Sequence, residues 1–177
     1  QSAITALGQI GDATTVPILI QALDDQHKKI RMQAAVSLGK IGDPSAVSAL
    51  IKALDDQSTQ VRINATIALG RIGESAQQAI PDLTKVLNLA DERSYINVVW
   101  ALAQMGAPAV PALIIALNHN NEKVHRRAAN ALNEIGTAEA ISALQEYEKK
   151  TSSKADAARW KSARYHHYLM VVLDPSP

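Results

Sequence analysis

Ala-Leu-Gly-Gln-Ile-Gly at 6–11, Ser-Leu-Gly-Lys-Ile-Gly at 37–42 and Ala-Leu-Gly-Arg-Ile-Gly at 68–73 are copies of one motif. Weaker copies follow as Ala-Leu-Ala-Gln-Met-Gly at 101–106 and Ala-Leu-Asn-Glu-Ile-Gly at 131–136. All eight glycines of the chain lie in these copies. Self-similarity at a spacing of 30–33 residues means a stack of small units, each packed only on its neighbours. Such a chain is built to bind rather than to react.

The apolar positions around the motif are helical. Val16, Leu19, Ile20 and Leu23 recur at helical spacing, as do Val47, Leu50, Ile51 and Leu54. A second helix follows each: Ile30, Ala34, Leu38 and Ile41, then Val61, Ala65, Leu69 and Ile72. The first helix of a unit is termed A and the second B. Val16 to Gly42, Val47 to Gly73, Ile80 to Gly106 and Val110 to Gly136 are each 26 residues apart. Length varies only in the links: five residues from Gly11 to Val16, seven from Gly73 to Ile80, four from Gly106 to Val110. Loops absorb length changes and packed elements do not.

Local signals agree. The last glycine of each copy suits the left-handed position past a helix end. Asp12 and Asp43 are N-cap candidates, and Pro44 suits a first turn. Pro17, Pro81 and Pro111 fall one step inside the periodic run, where a first turn still tolerates them. Paired alanines at 34–35 and 128–129 permit close helix approach, with Val98-Val99 in the third copy. The expected layout is an incomplete B helix at 1–10, four hairpins over 13–135, an A helix at 138–149 and an atypical capping helix near 153–172. The fold class is all-α: a right-handed α-solenoid of about five hairpins, with an array at 1–150 and a C-terminal cap and tail at 151–177.

Composition narrows the function. With no Phe and few Trp or Tyr, the core is Ala, Leu, Ile and Val. Net charge is +1, which gives no global case for nucleic acid. No cysteine is present, so no disulfide or thiolate chemistry is available. No apolar run approaches the roughly 20 residues of a membrane span, and no leader is visible. A cytoplasmic location is expected. The chain opens inside a motif copy without Met, as expected for a piece of a longer protein.

On the B helices, positions 13, 9–10, 6 and 2 before the final glycine share one face, opposite the Ala and Leu stripe. Across the stack they form four rows. The first holds Lys29, Gln60, Arg93 and Lys123. The second holds Met32/Gln33, Ile63/Asn64, Ile96/Asn97 and Arg126/Arg127. The third holds Val36, Ile67, Trp100 and Asn130, and the last Lys40, Arg71, Gln104 and Glu134. Met32, Val36, Ile63, Ile67, Ile96 and Trp100 are expected to be exposed, with Asn64, Asn97, Arg71, Arg93, Arg126 and Arg127 as a polar rim. An apolar patch with a polar rim is the form of an interaction site. Packing of these side chains on neighbouring B helices is the competing reading.

The motifs resemble HEAT repeats, and most closely the short bacterial HEAT-like repeats named after phycobilisome lyases. The resemblance is carried by Ala-Leu-Asp-Asp-Gln at 22–26 and 53–57, Ile-Arg at 30–31, Val-Arg at 61–62 and the Leu-Gly-x-Ile-Gly endings. It implies A helices on the convex face and B helices on the concave face. It also implies a polar ladder between repeats, matched by Asp25 with Arg31 and Asp56 with Arg62. Tyr95 and His125 stand at the Arg position of the third and fourth copies, where a weaker ladder is expected.

The resemblance spans scaffolds, bilin lyase subunits and metal-dependent hydroxylases. The hydroxylases use paired His-Glu ligands; none of His27, His119, His125, His166 and His167 is followed by Glu. No metal site, cofactor or catalytic residue is assigned. The expected function is a non-catalytic scaffold whose B-helix face binds another protein or another domain. Two alternatives stand. One is a phycobilin lyase-type subunit or phycobilisome-associated factor holding a tetrapyrrole. The other is nucleic-acid or acidic-surface binding by the basic segment Lys149, Lys150, Lys154, Arg159, Lys161 and Arg164, with Trp160, Tyr165 and Tyr168 between them.

Overall fold

A computed structural model describes residues 12–89 and 92–151, with backbone alone at 88, 89, 92, 93 and 151. The expected helices at 1–10 and 153–172 lie outside the described residues, as do His166, His167 and the basic segment beyond Lys150.

Four hairpins follow the constant-length register. The A helices are α1 (Val16–Ala22), α3 (Val47–Lys52), α5 (Ile80–Leu89) and α7 (Val110–Leu117). The B helices are α2 (Lys28–Ile41), α4 (Thr59–Ile72), α6 (Glu92–Gln104) and α8 (Glu122–Ile135). A further A helix, α9, runs Ala138–Thr151. Each B helix packs on its own A helix and on the next B helix, α2 on α4, α4 on α6 and α6 on α8. The described chain is an all-helical repeat stack with no strand among the described residues.

Helix starts follow the side-chain chemistry. Asp12 accepts the amide of Thr14 and Asp43 that of Ser45, at 3.0 and 2.8 Å. Both cap a short 3-10 turn, Ala13–Thr15 or Pro44–Ala46, that leads into the A helix. Asn121 caps α8 by accepting the amides of Lys123 and Val124. Pro17 and Pro111 fall within first turns, so their missing amides interrupt no helical bond.

Helix ends are less uniform than the motif. Gly42 and Gly136 are left-handed, with ψ near 16 and 18°. Gly73 and Gly106 keep positive φ, 68 and 73°, but swing to ψ −133 and −147°. The longer and shorter links that follow them leave the helix in a different direction.

The core runs through the stack as columns. Leu19, Leu50, Leu83 and Leu113 come from the A helices, and Leu38, Leu69, Leu102 and Leu132 from the B helices, all fully buried. The alanine pairs at 34–35 and 128–129 are buried, and Val98-Val99 fills the same column. Gly39 and Gly70 lie inside their helices rather than at the ends. A Cβ at Gly39 would sit 2.7 Å from the Cα of Ala68; at Gly70 it would sit 2.9 Å from the Cα of Ala101. The motif's first glycine is thus the contact point between successive B helices.

This separates the two glycines of one motif copy. Gly39→Ala meets backbone, so about 1–3 kcal/mol of overpacking outweighs the roughly 1 kcal/mol gained in helix propensity. Gly42→Ala meets nothing within 4 Å and carries only its backbone cost, about 1–2 kcal/mol at φ 73°. In urea unfolding, Gly39→Ala and Gly42→Ala should both lower the midpoint. Adding Ala68→Gly removes the Cβ at 2.8 Å but keeps the Cα at 2.7 Å, so it should restore neither variant to the wild-type midpoint.

Candidate partner-binding face

The four rows of B-helix side chains turn away from the core. Lys29, Lys40, Gln60, Arg71, Trp100, Gln104, Lys123, Arg126, Arg127, Asn130 and Glu134 are exposed. Among the side chains described in these rows, six are cations and one, Glu134, is a carboxylate, in a chain whose net charge is only +1. The face is therefore more basic than the chain as a whole.

The apolar members are less open than expected. Met32, Val36, Ile63, Ile67 and Ile96 are half-buried. The glycine contacts draw successive B helices together, so flanking side chains shield one another; Met32 also packs on the core. Trp100 remains exposed, at 36 %. Its ring edge rests on the previous helix: a Cβ at Gly70 would fall 2.5 Å from Cζ3. The indole is held by one edge and open beyond it. The Arg93 side chain lies outside the described set.

Asn64 has a structural task. It donates to the carbonyl of Met32 at 3.3 Å, tying α4 to α2, and accepts from Gln60 at 3.0 Å. Asn97, in the same column, is half-buried.

The polar ladder is present, with different connections from those expected. Asp25 does not take Arg31 through its carboxylate; it accepts the amide and ring of His27, at 2.7 and 3.0 Å. Arg31 instead crosses to the next repeat. Its Nε and Nη2 donate to the two oxygens of Asp56 at 2.6 and 3.0 Å. Its Nη1 donates back to the carbonyls of Asp25 and Gln26. The Arg31 and Asp56 side chains are 7 and 10 % exposed. Asp56 also accepts the Ser58 amide at 2.7 Å. Arg62 reaches Asp56 only through its main-chain carbonyl, at 2.7 Å.

Further along, the rungs are aromatic. The residue aligned with Asp56 in the fourth repeat is His119, and Tyr95 stands at the Arg position of the third. Their rings meet at 4.6 Å. His119 accepts the Asn121 amide on Nδ1, which leaves its proton on Nε2. His125 faces Tyr147 of α9 at 5.9 Å. The column alignment already placed Tyr95 and His125 in the ladder; their partners required the offset between repeats.

The Arg31 guanidinium, with the Ser58 amide, holds the Asp56 carboxyl below the usual carboxylate range, and Asp56 in turn raises Arg31. The His27 amide lowers Asp25. A depressed carboxyl pKa stabilises the fold above its unfolded value, about 3.9, and the contribution is lost as pH falls through the folded value. Thermal unfolding should therefore be level near neutrality and should fall below about pH 4. Asp56→Asn should lose about 2–3 kcal/mol at pH 7 by leaving Arg31 buried without its anion, and should flatten the acid limb. An acid limb as steep as wild type in Asp56→Asn contradicts this assignment.

The chain matches the family profile described as HEAT repeats over residues 1–70, 28–95, 47–114 and 80–161. No curated protein matches it. Among solved structures, an engineered protein superposes with TM-score 0.63 at 23% identity, covering 89% of this chain and 85% of that one. A designed armadillo repeat protein in complex with the peptide (KR)4 gives 0.63 at 22%, covering 90% and 88%. The complex of CpcE and CpcF of phycocyanin lyase from Nostoc sp. PCC7120 gives 0.59 at 27%, covering 84% and 61%. These likenesses agree with the stacked hairpins, and the profile spans the array from end to end: the chain belongs to the HEAT-repeat family.

Proposed function

We propose that this chain is a non-catalytic scaffold whose B-helix face binds a partner protein through an acidic segment that also carries aliphatic side chains. The carrying observation is the concentration of six cations around half-buried aliphatic residues and the open edge of Trp100. Trp is enriched among residues whose truncation costs about 2 kcal/mol or more at interfaces. Arg71, Arg126 and Arg127 would select the partner's carboxylates, and Trp100 would anchor its apolar side. The division into an array at 1–150 and a cap at 151–177 belongs to this reading, with the cap closing the exposed end of the stack. No helix among the described residues is long and apolar enough to cross a membrane.

The test compares wild type with a Trp100→Ala, Arg126→Glu, Arg127→Glu variant, both checked by circular dichroism. The three positions are exposed, so the fold should be retained. A partner whose cross-links map to α4, α6 and α8 should be captured by wild type, lost by the variant, and weakened by added salt. Equal capture by both sinks the assignment.

The likeness to the CpcE and CpcF structure supports a second reading, a bilin lyase-type subunit. Mixing with free bilin should then give a visible absorbance change and fluorescence that the same variant loses. A scaffold gives neither.

A further inference from the structure

The crossings between successive B helices are not alike. Gly39 and Gly70, each three residues before the final glycine of its copy, are buried where the next helix meets them. The same place on α6 is Ala103, and it is half-buried. The side chain that lies over the crossing changes as well. Over Gly70 it is Trp100, whose Cζ3 would stand 2.5 Å from a Cβ there. The repeat register puts Asn130 in that place over Ala103, and Asn130 is exposed. A short amide thus stands where the preceding crossing carries an indole. Trp100 and Ala103 are i, i+3 neighbours on α6, so the open part of the indole borders the unfilled crossing. The result is a notch between α6 and α8, floored by Ala103 and flanked by Trp100 and Asn130. It lies about two turns along α6 from Glu92.

Its rim is polarised. Arg126 and Arg127 lie one turn before Asn130 and Glu134 one turn after it, all three exposed. A phosphodiester chain carries a charge on every nucleotide and would meet Glu134. A peptide can place its carboxylates at the arginine end alone. We propose that the notch takes an aromatic side chain of the partner, packed on the open part of Trp100, with a neighbouring carboxylate on Arg126 and Arg127. The proposal rests on the reading of the B-helix face given above and adds its anchor. A second ring can meet the indole offset or edge-on, with centroids roughly 4.5–7 Å apart, in the space that Asn130 leaves.

The test follows the Trp100 indole N–H resonance in the full chain, assigned against Trp160→Phe. The probes are acetylated, amidated Glu-Glu-Phe-Gly, its Glu-Glu-Leu-Gly and Gln-Gln-Phe-Gly analogues, and a thymidine oligonucleotide. Glu-Glu-Phe-Gly should shift Trp100 saturably and bind about threefold or more tighter than the leucine analogue. Its ring protons should show nuclear Overhauser contacts to the Asn130 side-chain amide. The glutamine analogue should bind more weakly. Asn130→Trp, checked by circular dichroism, fills the notch and should erase the preference for Phe over Leu while keeping that for Glu over Gln. Equal binding of Phe and Leu, no contact to Asn130, or a Phe preference that survives Asn130→Trp overturns the notch. The face stands in each case if the glutamine analogue remains weaker. Equal binding of the Glu and Gln peptides overturns the acidic partner and with it the reading of the face. A Trp100 unmoved by every peptide overturns both. A tighter response to the oligonucleotide than to Glu-Glu-Phe-Gly overturns the protein partner. A Trp100 resonance moved by Trp160→Ala, Tyr165→Ala, Tyr168→Ala without peptide assigns the notch to the chain's own tail and likewise overturns the proposal.

Discussion

Backbone meets backbone where successive B helices cross, and the geometry of the binding face follows from that contact. Gly39 against Ala68 and Gly70 against Ala101 leave no room for a Cβ at the glycine. Helices drawn this close shield the aliphatic side chains on their flanks, so Val36, Ile63 and Ile67 form a half-buried floor rather than a set of protruding knobs. Charged side chains are long enough to clear the floor. Lys40 and Arg71, at the C-terminal ends of α2 and α4, are exposed while the aliphatic residues one to two turns earlier are half-covered. The same contact seats Trp100, since only a glycine at 70 leaves space for the ring edge.

Much of this was legible in the sequence because repetition supplies its own alignment. The 26-residue hairpin placed the helices of the four described hairpins, the N-cap aspartates and the face that turns outward. Exposure within that face was not legible. A helical period says which side of a helix is outward but not how near the next helix lies, and nearness decides whether Ile67 is open or half-covered. Gly39 and Gly70 held that information, at a position inside the helix where flexibility is a cost and close approach is the remaining reason for a glycine.

The ladder shows the same division between identity and partner. Asp25, Arg31, Asp56 and Arg62 were recognisable by type and spacing. The pairing shifted by one repeat because an arginine reaches forward along the stack while its own loop offers carbonyls. Asp25 with Arg31 looks like an ion pair in sequence and is an arginine on a backbone carbonyl in space. The ring pairs Tyr95–His119 and His125–Tyr147 obey the same forward offset. They tie neighbouring repeats through ring contacts rather than through a carboxylate.

The two conformations of the terminal glycines have a consequence at the level of the gene. Gly42 and Gly136 are left-handed, a region that asparagine and aspartate also visit. Gly73 and Gly106 combine positive φ with extended ψ, a region essentially confined to glycine. Glycine codons share their first two bases. At 42 and 136 those bases have room to drift toward asparagine or aspartate, whereas at 73 and 106 every amino-acid replacement is strained. Copies of one ancestral motif thus come under unequal constraint once their links differ in length, and the codons at 73 and 106 become the fixed marks from which the register of a diverged array can still be read.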